Sequence, residues 1–246
     1  MKHIYFLLFF SLFVYITVVI NTQQKNDTEK FENNLYIDNV FKHIMTYSKY
    51  SPKKISDSPW IVILDNFLSK DECNKLIHIP EKWDSSTTIK NNVKSVHPGR
   101  TSFSFFCNEQ ICLDNKIIKR VNKRINTITT IDKNNYEGIQ LTKYNKGGFY
   151  KQHHDYIIEK DNPEEFLRTG PRILTVLLYL SENVTGGGTS FVNLGHTINP
   201  KAGRALIWTN VHNNFSKDER TQHEALEVIS GTKFISQIWI HSKKYK

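Results

Sequence analysis

The chain has 246 residues, of which 39% are hydrophobic and 23% are charged, a balance that is ordinary for a globular protein with a sizeable core. This length permits one catalytic domain with additional segments or two small domains. The formal net charge is +9, but the lysines are scattered and no basic helix with interleaved aromatic residues occurs, which argues against a nucleic-acid-binding protein.

The amino-terminal segment is strongly apolar. Between Ile4 and Ile20 the run is interrupted only by Ser11, Thr17 and two tyrosines, and a helix of that length reaches roughly 26 Å, enough to cross a thinned bilayer core. No small-x-small cleavage site follows, so residues 1–22 are predicted to be a signal anchor. We expect a single-pass type II membrane protein whose carboxy-terminal domain lies in the endoplasmic reticulum or Golgi lumen. A cleaved signal peptide and a secreted form are the alternative.

A polar segment rich in asparagine and lysine follows. Residues 23–55 are predicted to be a stalk or linker with one short helix near residues 35–47. The folded domain is expected to cover residues 56–246. It begins with a strand-like apolar run, and Ser69 then starts a helix because Glu72, three residues later, completes a capping box.

The next part of the chain mixes weak strands with one clear helix. Residues 81–99 form a polar loop or a pair of weak strands, and the alternation at 100–105 predicts a strand. Between residues 113 and 128 apolar side chains recur with helical spacing, so this helix is expected to pack on a sheet.

The cysteines do not follow a zinc-binding pattern. Cys107 and Cys112 could close a small disulfide loop in an oxidising lumen, or remain as two thiols. Cys73 lies on the predicted helix after Ser69 and is expected to be a buried thiol. Glycosylation sequons compatible with a lumenal domain lie at Asn26, Asn183 and Asn214.

Short extended segments with turn signals between them dominate the chain from residue 137 onward. They lie at 137–144, 172–180, 189–192, 204–208, 224–229 and 233–241. Many short strands after supporting amino-terminal helices predict an α+β, mainly β fold. The expected architecture is a double-stranded β-helix, or jelly roll, whose mouth holds a small site. The charged loop at 159–170 is long enough to act as a lid.

A metal site is indicated by His153 and Asp155, which are two residues apart on an extended segment and therefore leave the same face. An imidazole and a carboxylate supply two-thirds of the facial triad that leaves open positions on Fe(II). His223, on a distant segment, offers the third ligand. His212 is a rival for that place, but no lysine follows it at the matching distance.

Lys233 strengthens the case for this metal site. It follows His223 in the chain and lies on a strand that is otherwise mainly apolar. A lysine on such a strand is costly to bury unless it meets an anion. A dicarboxylate co-substrate would supply that anion.

The motifs, in this order and spacing, resemble the prolyl 4-hydroxylase family of Fe(II)- and 2-oxoglutarate-dependent dioxygenases. They are LDNFLSKDEC, GRTS, YNKGGFYKQHHDY, RILTVLLYLS, GGGTSF, INPKAGRALIW and QHEALEVISGTKFISQIWIH. The resemblance covers residues 60–241 and is strongest to the short membrane-anchored members of plants, algae and large DNA viruses. Two departures occur: the usual Gly-Gly-Glu-Thr turn lacks its glutamate near Gly187, and Trp208 replaces a phenylalanine.

The resemblance implies roles for individual residues. The iron ligands would be His153, Asp155 and His223. The residues that bind 2-oxoglutarate would be Tyr144, Thr175 and Lys233, with the lysine pairing with the distal carboxylate. The residues that position the peptide substrate and the reacting oxygen would be Tyr150, Arg172, Trp239 and His241.

The implied activity is peptidyl-prolyl 4-hydroxylation of proline-rich or collagen-like proteins, coupled to oxidative decarboxylation of 2-oxoglutarate to succinate and CO2. The implied cofactors and co-substrates are Fe(II), 2-oxoglutarate, O2 and L-ascorbate. Peptidyl-lysyl hydroxylation with the same cofactors is a neighbouring alternative. A non-catalytic, membrane-anchored binding module is an alternative of a different class. The sequence leaves the oligomeric state open.

Overall fold

A computed structural model describes residues 36–90, 93–96, 98–107, 112 and 114–245. The predicted signal anchor at residues 1–22 lies outside this range. Among the described residues, none of the helices combines the length and the apolar character needed to cross a membrane.

The described chain consists of short strands with α-helices and short 3-10 helices placed before and between them. The α-helices are α1 (described over residues 36–45), α2 (Lys70–Ile77), α3 (Lys116–Thr129) and α4 (Pro163–Thr169). The strands up to the middle of the chain are β1 (Pro52–Asp57), β2 (Trp60–Leu64), β3 (Asp84–Ser85), β4 (Thr88–Lys90), β5 (Val93–Ser95), β6 (Phe103–Phe106), β7 (Gln140–Tyr144) and β8 (Tyr150–His153). The later strands are β9 (Arg172–Tyr179), β10 (Thr185–Gly186), β11 (Thr189–Phe191), β12 (His196–Ile198), β13 (Ala205–Thr209), β14 (His223–Ala225), β15 (Val228–Ser230) and β16 (Lys233–His241).

Two sheets form the body of the domain. The larger has the order β1-β2-β13-β9-β16-β7-β6-β3, and the smaller has the order β12-β11-β14-β8. The central strands of the larger sheet are buried at nearly every position, so the sheet buries both of its faces. One face packs against the helices, and the other packs against the smaller sheet. These paired sheets confirm the predicted mainly β jelly roll with supporting amino-terminal helices.

The core between the sheets lies beside the metal-ligand candidates. Leu206 and Trp208 from the larger sheet and Phe191 from the smaller sheet belong to one buried cluster. The Trp208 ring, at a position where the related motif has phenylalanine, is fully buried with its centroid 4.9 Å from that of His223. The packing of the two sheets therefore fixes the position of His223.

The helix α1, which lies in the segment assigned above to a stalk or linker, packs into the folded core. The inner face of α1 buries Ile37, Phe41 and Ile44 completely, and the Phe41 ring stacks on Trp60 at 5.4 Å. The Trp60 indole N–H also donates a hydrogen bond to Asp38 at 2.6 Å. This part of the predicted boundary is therefore corrected: the apolar face of the helix was obscured by the polar residues around it.

Two further segments differ from the sequence-based expectation. The predicted lid loop contains α4, which begins at Pro163, a residue whose fixed φ suits the first helical position. The predicted strand at 224–229 divides into β14 and β15, which pair in different sheets. Between these two strands the chain leaves the smaller sheet and enters a separate two-stranded sheet, in which β15 pairs with β10.

The cysteines adopt one of the two arrangements that the sequence allowed. Cys107 and Cys112 form a disulfide with their Cα atoms 5.3 Å apart. Cys73 is free and buried, and burial raises the pKa of its thiol to about 11. This thiol is therefore an unreactive part of the core.

Candidate active site

The three metal-ligand candidates meet where β8 and β14 pair. His153 ends β8 and lies directly opposite His223, the first residue of β14, with ring centroids 4.3 Å apart. Asp155 follows β8. Its carboxylate oxygens lie 3.8 Å from Nε2 of His153 and 3.7 Å from Nε2 of His223. Three ligand atoms from two strands thus converge on one point.

Backbone contacts fix which nitrogen of each imidazole is available. Nδ1 of His153 lies 2.8 Å from the carbonyl oxygen of Lys151, and Nδ1 of His223 lies 2.9 Å from that of Thr221. A carbonyl oxygen can only accept, so each Nδ1 carries the proton. Each Nε2 is left with a lone pair pointing toward Asp155, as a metal ligand requires.

Asp155 is oriented from behind by two polar side chains. The Thr175 hydroxyl donates to Oδ2 of Asp155 at 2.8 Å, and the Asn210 amide donates to Thr175 at 2.9 Å. The sequence interpretation assigned Thr175 to the co-substrate pocket, but the structure places its hydroxyl on Asp155. Thr175 is fully buried and contributes no lining to the cavity beside Lys233.

The charges of this group suit metal binding. Burial, together with repulsion from His223, lowers the pKa of His153 to about 3, so the ring is neutral at physiological pH. Burial raises the pKa of Asp155, but attraction by His223, His153 and Arg172 outweighs burial and holds this pKa below its ordinary value. Two imidazoles and one carboxylate are the donor set of a facial Fe(II) triad.

Lys233 is the clearest sign of a missing anionic partner. It is 1% exposed, and its Nζ atom finds no hydrogen-bond acceptor in the part of the chain that the structure describes. The nearest aromatic contacts are Tyr144 and Tyr179, whose ring centroids are 4.9 and 5.8 Å from Nζ. Burial lowers the pKa of Lys233 to about 7. His153 and His223 line the same small cavity as Lys233, so the lysine and the metal position face one space.

Tyr150 and Arg100 form one wall of a second, wider cavity. The Tyr150 ring stacks on His153 with centroids 3.6 Å apart, and the Arg100 guanidinium lies 4.6 Å from the Tyr150 centroid. This cavity has a volume of about 290 Å³ and reaches Asp155. A larger groove of about 830 Å³ lies between α2 and α3, but it contains none of the ligand candidates.

Arg172 and Trp239 form the opposite wall of that cavity. The Arg172 guanidinium lies 4.1 Å from the Trp239 ring centroid and binds both oxygens of Glu137. His241 was expected to face the substrate, but its Nε2 lies 2.7 Å from Glu137 and its Nδ1 lies 3.0 Å from the carbonyl oxygen of Gly170. His241 is completely buried, so it holds Glu137 in place from behind the wall.

Glu137 stays ionised in spite of its burial. Burial raises the pKa of this carboxyl, but Arg172 and His241 more than offset the effect and lower the pKa below its ordinary value. Glu137, Glu165 and His241 also bring three possible metal-ligand atoms within 4.8 Å of one another. Arg172 already occupies both Glu137 oxygens, so this group is an ion-pair cluster.

The remaining histidines near the site have other partners. Nε2 of His154 lies 3.0 Å from Glu219, and Nδ1 of His212 lies 3.5 Å from Asp218. The His212 side chain is 46% exposed, and neither ring joins the group of ligand candidates. The rival third ligand is therefore not brought to the site.

Sequence reasoning missed Glu137, Gln140 and Asn210. A signal existed for Gln140, because strict alternation along β7 puts it on the same face as Tyr144. Glu137 and Asn210 lie outside regular strands and bear no spacing relation to the residues that they contact, so no local pattern could identify them.

Comparisons with known proteins agree with this geometry. The family model described as the 2OG-Fe(II) oxygenase superfamily matches residues 139–241. Prolyl 4-hydroxylase subunit alpha-1 of Bos taurus is 37% identical over 193 residues, which cover 76% of this chain and 35% of that protein. The solved structure of the viral collagen prolyl hydroxylase vCPH from Paramecium Bursaria Chlorella virus-1, in its 2OG complex, superposes with a TM-score of 0.56 and 26% identity over 77% of this chain and 99% of that one.

The chain carries a 2OG-Fe(II) oxygenase domain and is similar to the prolyl 4-hydroxylases. Subunit alpha-2 of Caenorhabditis elegans, 40% identical over 128 residues covering 52% of this chain and 24% of that protein, is a further relative. A prolyl hydroxylase of Trichoplax adhaerens shares the fold at 17% identity, with a TM-score of 0.54 over 89% of this chain and 92% of that one. A 2OG-Fe(II) oxygenase domain implies Fe(II), 2-oxoglutarate and O2, and ascorbate is typical of prolyl hydroxylases. The chain spans about a third of the length of the Bos taurus prolyl 4-hydroxylase subunit.

Proposed function

We propose that this chain hydroxylates C4 of proline in proline-rich or collagen-like proteins, coupled to oxidative decarboxylation of 2-oxoglutarate to succinate and CO2. The observation that carries the proposal is the buried ammonium of Lys233, which has no hydrogen-bond partner among the described residues and lies beside the converging His153, Asp155 and His223. A pseudoenzyme would have no reason to retain a costly buried charge together with a complete ligand set.

The metal would be held by Nε2 of His153, Nε2 of His223 and a carboxylate oxygen of Asp155. When bound, Fe(II) and 2-oxoglutarate supply the oxidising chemistry, which delivers one atom of O2 to the substrate and the other to succinate. The chain's own contribution is to fix the ligands in advance: two carbonyl oxygens hold the imidazole tautomers, and Thr175 holds the carboxylate.

The co-substrate would be anchored through its distal carboxylate. Lys233, on β16, supplies the charge. Tyr144 is paired with Lys233 on the neighbouring strand β7 and supplies a phenol beside it. Because the ammonium is held among buried aromatic rings, little water competes for it, and an ion pair formed there is stronger than at the surface.

The substrate peptide would lie in the cavity between the two walls. Tyr150, Arg172 and Trp239 offer flat aromatic and guanidinium faces, which suit the rings of a polyproline II segment. Glu137 fixes the Arg172 guanidinium, so the arginine is ready to donate to a peptide carbonyl without further loss of side-chain freedom.

A lumenal location is part of the proposal. The disulfide between Cys107 and Cys112 suits an oxidising compartment, and the sequons at Asn183 and Asn214 lie on exposed residues. With residues 1–22 as a membrane anchor, the full chain expressed in eukaryotic cells should stay in the membrane pellet after alkaline washing and be protected from added protease. Release of the uncleaved chain by the wash would contradict the anchor.

The activity is tested by incubating the full chain with Fe(II), 2-oxoglutarate, ascorbate and a panel of collagen-like, polyproline and lysine-containing peptides. We expect mass spectrometry to show a gain of one oxygen atom that maps to proline. A gain on lysine would assign the chain to lysyl hydroxylation. Consumption of 2-oxoglutarate without any modified peptide would contradict the substrate, and no consumption at all would favour a binding module.

A further inference from the structure

The rim of the substrate cavity is acidic, although the protein as a whole carries a net charge of +9. Asp161 and Glu165, from the predicted lid, both line the 290 Å³ cavity. The Asp161 carboxylate has no ion pair or side-chain hydrogen bond within the described ranges, and one oxygen of Glu165 accepts a hydrogen bond from the Asn162 amide. Both carboxylates retain oxygens that can accept further hydrogen bonds, and Asp161 is the freer of the two because an oxygen of Glu165 lies within 4.8 Å of Glu137 and His241.

A buried acceptor in the same cavity is independent of the lid. Gln140, on β7, is 1% exposed and lines this cavity. Its amide nitrogen donates to Ser104 at 3.0 Å, which leaves Oε1 as the free end, and Oε1 has no donor among the residues that the structure describes. A buried acceptor without a partner costs free energy until a ligand supplies a donor.

The cations that line this cavity have partners already. Arg172 is neutralised by both oxygens of Glu137. Arg100 donates to Ser102, Ser104 and the Thr87 carbonyl oxygen, and its guanidinium lies against Tyr150. His154 pairs with Glu219. The groups left for a ligand on the lid side of the cavity are therefore mainly acceptors, and a ligand rich in donors would match them.

We infer that this cavity selects proline-containing peptides that carry a lysine or arginine next to the target proline, a specificity that rests on the proposed prolyl hydroxylation. The charged head would lie between Asp161, Glu165 and Gln140. The aliphatic stem would cover Phe106 and Ile158, which line the same cavity and are 41% and 40% exposed. The cation is recognised while the neighbouring proline is oxidised.

The first test compares matched proline peptides that differ only in the residue beside the target proline, which is lysine, arginine, glutamine or glutamate. With the full chain and its cofactors, we expect KM for the lysine and arginine peptides to be about tenfold lower than for the glutamine peptide at low salt, with kcat unchanged. Salt at high concentration should narrow the difference. Equal KM values for all four peptides would overturn the inference and leave prolyl hydroxylation intact.

Charge-removing variants assign the effect to the rim. Asp161→Asn and Glu165→Gln should each erase most of the preference for lysine over glutamine, measured as the ratio of the KM values of the two peptides. Glu164→Gln is the matched control, because it removes the same charge from α4 at an exposed position outside the cavity lining. An equal loss of preference in all three variants would overturn the assigned subsite.

A binding measurement separates this inference from the proposed function. Peptide affinity is measured by calorimetry without oxygen, with Fe(II) and 2-oxoglutarate present. Tighter binding of the lysine peptide, with no proline hydroxylated once oxygen is admitted, would support the acidic subsite and contradict the proposed activity. Binding that does not distinguish the four peptides would contradict the subsite whether or not turnover occurs.

Discussion

Replacing Asp155 by alanine is expected to abolish 2-oxoglutarate consumption while the domain stays folded. Asp155 supplies the only anionic oxygen among the three converging ligand candidates, and both imidazole Nε2 atoms point to it. Without it, Fe(II) would lose one ligand and most of the charge that attracts the metal. Turnover, measured as succinate formation, should fall by a factor on the order of 10³ or more.

His153→Ala and His223→Ala should have the same effect, since each removes one of the two nitrogen ligands. His212→Ala is the matched control, because His212 is an exposed histidine that was the rival ligand in the sequence. Fe(II) affinity under anaerobic conditions and circular dichroism should accompany the turnover measurement. Normal turnover in any of the three ligand variants would refute the metal site, and loss of turnover in His212→Ala would point to that histidine instead.

Replacing Lys233 by methionine is expected to stabilise the domain and to abolish 2-oxoglutarate binding. Methionine has a similar length and carries no charge, so it removes the cost of burying an ammonium without a partner. Because the pKa of Lys233 falls from 10.5 to about 7 on folding, the free energy of unfolding at pH 7 should rise on the order of 4 kcal/mol.

The lowered pKa of Lys233 also predicts how the free energy of unfolding depends on pH. Below pH 7 the lysine is protonated in both states and its destabilising effect is complete. Between pH 7 and 10.5 the unfolded chain binds more protons than the folded chain, so wild-type stability should rise with pH across that range. Lys233→Met should lack this rise. Denaturant titrations of both proteins at several pH values measure the free energy of unfolding and test this difference.

The loss of binding is read from the thermal shift that 2-oxoglutarate produces in the presence of metal. Wild type should shift upward and Lys233→Met should not. Lys143→Met is the matched control, because Lys143 lies on the neighbouring strand with its ammonium between the Trp83 and Phe103 rings, and it should keep the shift. A less stable Lys233→Met protein with unchanged 2-oxoglutarate affinity would show that the lysine has only a structural role.

The sequence was sufficient where a short pattern carries the chemistry. His153 and Asp155 share a face because extended chain repeats every two residues, and Lys233 stands out because its own strand is apolar. The capping box of Ser69 and Glu72 likewise forms from residues three apart. Such features depend on local geometry, which the residues themselves specify.

The tertiary structure alone decided the contacts that support these residues. Glu137 and His241 are 104 residues apart, and their contact arises only because β16 lies in the larger sheet beside the segment that leads into β7. The hydroxyl of Thr175 reaches Asp155 across 20 residues of chain. No spacing rule relates such pairs, because strand order in the sheet brings them together.

The chain by itself thus determined the jelly roll, the candidate ligands and the lysine on an apolar strand, since each rests on alternation or on the cost of burying one charge. The tertiary structure decided that α1 belongs to the core, that His241 and Thr175 act from behind the cavity walls, and that Asp161 and Gln140 meet in one cavity. These outcomes depend on which surfaces pack together, and the packing of distant segments is a property of the whole fold.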